Sequence, residues 1–331
     1  MTTNRERQRD EFLSRHGWSD ADMTLLVPDA SFRSYARLSK PDGSICMLMD
    51  APPQSEDLEA YLKVNQHLAS LGLRVAATYA DDLAGGFALI EDMGDDTFTR
   101  LLASGHDEKA LYLMAADVLK ALHGQSSATS LELKPYDMGA LLREVELFVD
   151  WFVPAARGVP ATAAEKGAYL QAWRGAIAEV AERCEALVLR DYHVDNLMAV
   201  EGADSLSRCG LLDYQDALIG ARAYDLVSLV EDARRDIEAG IREAVLERYF
   251  DGMSDAEAAR IKSDMVLLGA QRHAKVAGIF VRLFERDGKP IYLRHIPRVL
   301  HLLEKCLEHE SLTVVRVITK AMVPNYQSIT F

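Results

Sequence analysis

The chain has 331 residues, 49% of them hydrophobic and 27% charged, which is the composition of a globular protein with one large or two closely packed domains. Its 51 acidic and 37 basic residues give a net charge of −14, which argues against non-specific binding to nucleic acid or anionic lipid. No apolar run approaches the roughly 20 residues that span a bilayer, and the first residues carry no apolar signal segment. We therefore expect a cytoplasmic protein with neither a nucleic-acid nor a membrane partner.

The first part of the chain alternates strand and helix patterns. Strands are predicted at residues 32–38, 45–50, 75–79 and 87–90. The turn Lys40-Pro41-Asp42-Gly43 joins the first two strands into a hairpin. An amphipathic helix is predicted at residues 55–71, with Ser55 as its cap. The order of elements is therefore β, β, α, β, β.

Beyond Gly94 the apolar residues recur at helical spacing. Helices are predicted at residues 107–123, 138–156, 161–183, 224–233, 237–250, 255–285 and 296–308. Short apolar runs at residues 186–189, 197–200 and 209–212 interrupt the helices and predict small strands around a loop. We expect an α+β fold with a small antiparallel N-terminal lobe, residues 1–93, and a larger, mainly helical C-terminal lobe, residues 94–331. A ligand would bind in the cleft between two such lobes.

The loop from Asp191 to Asn196, followed by the apolar strand that ends at Asp213, contains the residues that best indicate a reaction. Phosphoryl transfer needs a carboxylate for the proton of the attacking hydroxyl and hard oxygen ligands that hold Mg²⁺ against the phosphates. Asp191, Asn196 and Asp213 can supply both. Alone, each residue is more typical of a helix cap or a turn, so the indication comes from the joint pattern.

The joint pattern Arg-Asp-x-x-x-x-Asn, an apolar strand ending in Asp, and a helix with Tyr224-Asp225-Leu226 resembles a known family. It is similar to the aminoglycoside phosphotransferase-like branch of the protein-kinase-like fold over most of the chain. Within that branch the chain looks most like bacterial kinases for the anomeric hydroxyl of N-acetylmuramate and N-acetylglucosamine, which serve cell-wall recycling. The segments that carry this narrower resemblance are residues 29–33, 49–53, 143–148 with Trp151, and 212–217.

The resemblance implies a role for each matching residue. Asp191 would be the catalytic base, and Asn196 and Asp213 would hold Mg²⁺. The backbone at Glu91 and Met93, in the connector between the lobes, would bind the adenine of ATP. The N-terminal lobe would then bind nucleotide, and the C-terminal lobe would contain the catalytic loop, the metal site and the acceptor site. A further residue, Asp225, would brace the catalytic loop by hydrogen bonds.

The phosphate side departs from the kinase pattern. Kinases place a Lys on the third strand, whereas residues 45–50 contain none. The usual Gly-rich loop is also missing, and Pro28-Asp29-Ala30-Ser31 stands in its place. The backbone at Ser31 and the side chain of Arg33 are our candidates for phosphate binding. Arg37 is an alternative cation, although an arginine on an exposed strand is more often only solvated.

Arg143, Glu144, Glu146 and Trp151 recur at helical spacing and are the candidate contacts to the acceptor. A Trp can stack on a sugar face and an Arg can bind a carboxylate. The same residues also fit an ordinary amphipathic helix.

Three functions remain open at this point. The first is an ATP-dependent amino-sugar kinase. The second is a kinase for another hydroxyl acceptor, such as an aminoglycoside, a choline-like alcohol or homoserine. The third is a nucleotide-binding module without turnover, which the missing Lys and Gly-rich loop suggest.

Overall fold

The computed structural model describes residues 3–26 and 32–331. Ser31, predicted to bind phosphate, lies outside the described residues together with the rest of its loop. The chain forms two compact units: Met1–His106 with Val194–Asp216 is unit 1, and Asp107–His193 with Ala217–Phe331 is unit 2. The predicted boundary after residue 93 is a division by function and stays a prediction.

The strands are short and all pair in antiparallel fashion. They are β1 (Asp22–Leu25), β2 (Ser34–Ser39), β3 (Ile45–Asp50), β4 (Thr78–Asp82), β5 (Phe87–Ile90), β6 (Ala186–Val188), β7 (Leu197–Ala199), β8 (Cys209–Leu211) and β9 (Leu218–Gly220). The predicted β2–β3 hairpin is confirmed, whereas β4 begins three residues later than predicted, at Thr78 instead of Val75. Strand β1 escaped prediction because all four of its side chains are exposed and show no apolar alternation.

The helices account for most of unit 2. They are α1 (Asn4–Arg15), α2 (Leu58–Ser70), α3 (Phe98–Ala103), α4 (Glu108–Gly124), α5 (Met138–Leu147), α6 (Val153–Arg157), α7 (Ala163–Ala176), α8 (Ser205–Arg208), α9 (Ala223–Val230), α10 (Ile241–Phe250), α11 (Asp255–Glu285), α12 (Ile296–Leu307) and α13 (Thr313–Met322). The helix predicted at residues 138–156 is α5 and α6 joined by a π-helical turn at Phe148–Phe152. The helix predicted at residues 161–183 is too long, since α7 ends at Ala176.

Unit 1 is built around a five-stranded sheet in the order β1-β2-β3-β5-β4. Helix α1 covers one part of it, because its buried Phe12 and Leu13 pack with apolar side chains of β2, β3 and β5. Helix α2 begins after Asp57, whose carboxylate accepts the N–H of Ala60. The predicted cap Ser55 was therefore wrong by two positions. The β7–β8 pair completes the unit, and the backbone of Arg74 bridges to Gly210 in β8.

Unit 2 is organised around α11, a helix of 31 residues whose bounds match the prediction. Ser254 caps it by accepting the N–H of Glu257, and apolar residues along its length pack against α5, α9 and α12. Several polar side chains of α11 are also buried, including Gln271, Arg272 and Lys275. Because burial of charge is costly unless it is paired, these residues point to a polar cluster inside the unit.

Candidate active site

The catalytic-loop candidate Asp191 follows β6 in unit 2, and Asp225 of α9 holds the backbone beside it. The Asp225 carboxylate, fully buried, accepts the N–H of Leu189 at 2.7 Å and the N–H of Arg190 at 2.8 Å. Arg190 has a φ of 70°, a left-handed conformation that a non-glycine residue adopts only when its surroundings enforce it. The bracing role predicted for Asp225 is therefore confirmed.

Electrostatics keeps the Asp191 carboxyl ionised. Burial raises the pKa of Asp191, but the positive charges of Lys275, Arg272 and Arg190, together with His193, outweigh it and hold the pKa below its ordinary value. Burial also raises the pKa of Asp225 to about 7, against the opposing effect of the two backbone N–H donors. The loop thus carries the ionised carboxylate of Asp191, and the carboxylate of Asp225 holds the loop backbone.

A buried charge network in unit 2 has Glu144 at its centre. Lys275 Nζ lies 2.9 Å from Glu144 Oε1, and Arg190 approaches the same oxygen at 2.5 Å. Gln271 donates to Glu144 Oε2 at 2.9 Å, and the Tyr136 hydroxyl donates to it as well. Burial raises the pKa of Glu144, but these cations and donors prevail and bring it to about 2. Glu144 is therefore an anion at neutral pH, and it pairs with Arg190 of the loop that contains Asp191.

The other acceptor candidates do not join this network. Arg143 is exposed, and Glu146 forms an ion pair with Lys166 at 2.7 Å. Trp151 is partly exposed on the π-helical turn. Sequence reasoning missed Lys275 and Gln271, because both stand in a long helix whose pattern predicts only packing.

In unit 1 a cavity of about 370 Å³ collects the residues predicted for nucleotide and metal. Its wall includes all five of the described ones: Arg33, Glu91, Met93, Asn196 and Asp213. Apolar side chains, among them Met47, Ile90 and Leu211, form much of the remaining surface. A cavity of this size with an apolar body and a few convergent polar groups is typical of a small-molecule site.

The connector segment leaves backbone groups available on this cavity. Glu91 donates its backbone N–H to Ala77 at 2.8 Å, and its carboxylate pairs with Arg74 at 2.6 Å. Within residues 3–26 and 32–331, no protein group pairs with the carbonyl of Glu91 or the N–H of Met93. An acceptor and a donor two residues apart match the hydrogen-bonding edge of a purine base.

The metal candidates Asn196 and Asp213 lie at the same end of the β7–β8 pair, since Leu197 pairs with Leu211. The N–H of Leu212 donates to the backbone carbonyl of Asn196 at 3.0 Å, which ties the two segments together. Asp213 has a φ of 58°, the left-handed conformation that Arg190 also adopts, and 43% of its side chain is exposed. A carboxylate and an amide oxygen are ligands of the kind that Mg²⁺ prefers, so this pair fits the ion.

The two candidate arginines have different partners. Arg33 is 8% exposed and pairs with Asp213 at 2.8 Å and Gln215 at 2.7 Å. Arg37 instead binds Asp92 at 2.5 Å and Asp95 at 2.9 Å. Arg37 is therefore paired with one carboxylate within the connector and one just after it, and Arg33 is paired with the predicted metal ligand.

A separate cluster in unit 2 brings Glu231, His273 and Cys306 together. Glu231 pairs with His273 at 2.9 Å and with Arg242 at 3.2 Å. Since His273 and Arg242 already pair with the Glu231 carboxylate, we interpret the cluster as part of the core.

Comparison with known proteins places this geometry in context. The model of the phosphotransferase enzyme family matches residues 22–260. A protein named N-acetylmuramate/N-acetylglucosamine kinase from Caulobacter vibrioides is 31% identical, with 98% of each chain covered. A protein of the same name from Pseudomonas aeruginosa is 36% identical, with 89% of this chain and 87% of the relative covered.

Solved structures share the fold. A choline/ethanolamine kinase family protein from Mesorhizobium loti aligns with a TM-score of 0.60 at 13% identity, over 95% of this chain and 99% of that one. An ADP-bound aminoglycoside phosphotransferase aligns with a TM-score of 0.57 at 13% identity, over 91% and 98%. The predicted α+β fold of the kinase type is confirmed. No helix among the described residues is both long and apolar enough to cross a membrane.

Proposed function

This chain belongs to the phosphotransferase enzyme family, and on that premise we propose that it is an ATP- and Mg²⁺-dependent kinase for an amino sugar. The acceptor is N-acetylmuramate or N-acetylglucosamine, and the phosphoryl group goes to the anomeric hydroxyl. The observation that carries the proposal is the unit 1 cavity, in which the connector backbone and the pair Asn196 and Asp213 line one wall. The relatives at 31% and 36% identity, covered over most of their length, support the choice of acceptor.

The nucleotide binds in this cavity. The carbonyl of Glu91 accepts from the adenine amino group, and the N–H of Met93 donates to a ring nitrogen, since neither has a protein partner among the described residues. The apolar wall of Met47, Ile90 and Leu211 covers the faces of the base. Ser31 and Arg33 bind the phosphates, Ser31 through its backbone.

Asn196 and Asp213 would hold Mg²⁺. When bound there, the ion would neutralise charge on the phosphates and polarise the phosphorus that is attacked. The exposed Asp213 carboxylate and the position of both residues on the cavity wall support this role. The hydrogen bond from the N–H of Leu212 to the carbonyl of Asn196 holds the backbone next to Asp213 against Asn196.

Asp191 acts as the base. Its carboxylate is ionised at neutral pH, because Lys275, Arg272 and Arg190 hold its pKa low. As the acceptor oxygen bonds to the γ-phosphorus of ATP and the bond to the ADP oxygen breaks, the hydroxyl proton passes to Asp191. Glu144 and Asp225 keep Arg190 and the loop backbone in place for this transfer.

The acceptor contacts come from α5 and the turn that follows it. Trp151 stacks on the sugar ring, and Arg143 pairs with the carboxylate of the muramate lactyl group. Glu146 completes the set as a hydrogen-bond acceptor for a sugar hydroxyl, whereas Glu144, which the sequence pattern also placed in this set, already has four protein partners and contributes by holding Arg190. We also propose that the enzyme acts in the cytoplasm, where ATP is supplied, on a free small molecule without a nucleic-acid or membrane partner.

An acceptor screen tests the proposal. ATP consumption is measured with N-acetylmuramate, N-acetylglucosamine, kanamycin, choline and homoserine, and phosphorus NMR locates the new ester. We expect turnover with an amino sugar and a sugar 1-phosphate as the product. Turnover only with kanamycin, choline or homoserine would overturn the acceptor. Binding of ATP without turnover on any acceptor would favour a nucleotide-binding module.

A further inference from the structure

The phosphate side of the proposed site lacks the lysine that kinases place on the third strand. Strand β3 reads Ile45-Cys46-Met47-Leu48-Met49-Asp50 and contains no cation. A transferring phosphoryl group nevertheless needs positive charge beside it. If the chain is a kinase, a group outside β3 supplies that charge.

Arg33, just before β2, has the environment of such a cation. Its side chain is 7% exposed, and its three nitrogens face three different residues: Glu56, Gln215 and Asp213. The Nε atom lies 3.2 Å from Glu56 Oε2 without the alignment of a hydrogen bond, so a buried donor remains unsatisfied. Buried donors are rarely left unsatisfied, which indicates that a further acceptor completes this site.

Glu56 holds Arg33 from the start of α2. One carboxylate oxygen accepts the backbone N–H of Phe32 at 2.9 Å, and the other faces the Arg33 guanidinium. Only 14% of the Glu56 side chain is exposed. The same carboxylate therefore holds both the backbone of Phe32 and the side chain of Arg33. A glutamate that positions a basic side chain is the arrangement in which kinases use their strand lysine.

We propose that Arg33, positioned by Glu56, supplies the cation of the missing lysine, and that its contact with Asp213 is exchanged for the nucleotide phosphates when a divalent ion binds Asp213. This inference rests on the proposed function. Asp213 Oδ1 accepts from both Arg33 at 2.8 Å and Gln215 at 3.0 Å, so Arg33 competes with the ion for one of the two carboxylate oxygens. Release of Arg33 from Asp213 leaves its guanidinium next to the cavity that receives the phosphates.

If Arg33 moves from Asp213 to the phosphates, the substitution Arg33→Ala should affect the binding of a divalent ion and the binding of ADP in opposite directions. In Arg33→Ala, Mn²⁺ without nucleotide should bind more tightly than in the wild type, because its competitor for Asp213 is gone. Binding of ADP with Mg²⁺ should weaken by about tenfold or more, because a charged partner of the phosphates is lost. Mn²⁺ affinity is measured by electron paramagnetic resonance and ADP affinity by calorimetry. A structural role alone would weaken both.

Two further variants and a control complete the test. Arg33→Lys keeps the charge and should recover part of the ADP affinity, whereas Glu56→Gln should weaken ADP binding and leave Mn²⁺ binding closer to the wild-type value. Arg5→Ala is the matched control, since Arg5 is a half-buried arginine of unit 1 that binds Asp50, away from the cavity wall. It should change neither affinity.

The outcomes separate this inference from the proposed function. If the wild type binds ADP with Mg²⁺ but Arg33→Ala binds it equally well, the role of Arg33 is wrong and the kinase proposal stands. If Arg33→Ala weakens Mn²⁺ and ADP binding together while keeping its melting temperature, the exchange at Asp213 is wrong. If the wild type itself does not bind ADP, the proposed function fails first.

Discussion

The unit 1 cavity and the charge network of unit 2 both contain charged side chains, but the two regions differ in how far these side chains are exposed and in how they are paired. In unit 1 the Asp213 side chain is 43% exposed and accepts hydrogen bonds from Arg33 and Gln215 through one oxygen. In unit 2 Lys275 is buried, the Glu144 side chain is only 12% exposed, and the two are paired with each other. A binding site needs charges that can change partners, whereas a support needs charges that cannot. We therefore expect substitutions in the cavity to alter binding and substitutions in the network to alter stability.

The largest expected effect is on turnover, at the residue that the network supports. Asp191→Asn should lower kcat by about 10²–10⁴-fold, because the proton of the attacking hydroxyl loses its acceptor. Binding of ATP, measured by calorimetry, should remain close to that of the wild type. Asp117→Asn, which removes a carboxylate paired with Arg248 elsewhere in unit 2, is the control and should retain full activity. Undiminished kcat in Asp191→Asn would remove Asp191 from the mechanism.

The network itself should respond through stability. Lys275→Met leaves the buried Glu144 with one cation fewer and should lower the free energy of unfolding by about 3–5 kcal/mol. The double variant Lys275→Met with Glu144→Gln removes both charges and should recover part of the loss. Urea unfolding of the two variants and the wild type measures this. Equal stability of Lys275→Met and the wild type would show that the network is not structural.

The pH dependence of stability gives a second measure of the same network. Glu144 has a folded pKa of about 2 against an ordinary value of 4.5. The stabilisation is therefore complete above pH 4.5 and is lost as the pH falls towards 2, by about 3 kcal/mol. Glu144→Gln should be less stable at neutral pH and should lack this contribution to the acid dependence. Parallel stability curves for Glu144→Gln and the wild type from pH 5 to about 2.5 would contradict the assignment.

The smallest expected effect tests the cavity. Asp213→Ala should weaken binding of ADP in the presence of Mg²⁺ by about tenfold and lower the free energy of unfolding less than Lys275→Met does, since the carboxylate is exposed and Arg33 keeps Glu56 and Gln215 as partners. Calorimetry with and without Mg²⁺ checks the first expectation, and urea unfolding the second. If Mg²⁺ strengthens ADP binding equally in the variant and the wild type, Asp213 is not a ligand of the ion.

The two regions also differ in how far the sequence predicts them. The β2–β3 hairpin and all 31 residues of α11 followed from local patterns, because turns, caps and apolar periodicity act between neighbours in the chain. The five described residues predicted for nucleotide and metal all line one cavity. Their roles stay predictions until the binding experiments are done.

The sequence does not predict which charged residues pair when they are far apart in the chain. Nothing local in α11 indicates that Lys275 binds Glu144, and nothing near Glu56 indicates that it holds Arg33. Arg33 and Arg37 look equivalent in the sequence, yet one binds Asp213 and the other Asp92. Local patterns determine which segments form helices and strands, but the partner of a buried charge depends on which segments the fold brings together. By itself the sequence determined most helices and strands and the candidate residues of the site, and only the tertiary structure decided which charged side chains pair with one another, because that depends on contacts between segments far apart in the chain.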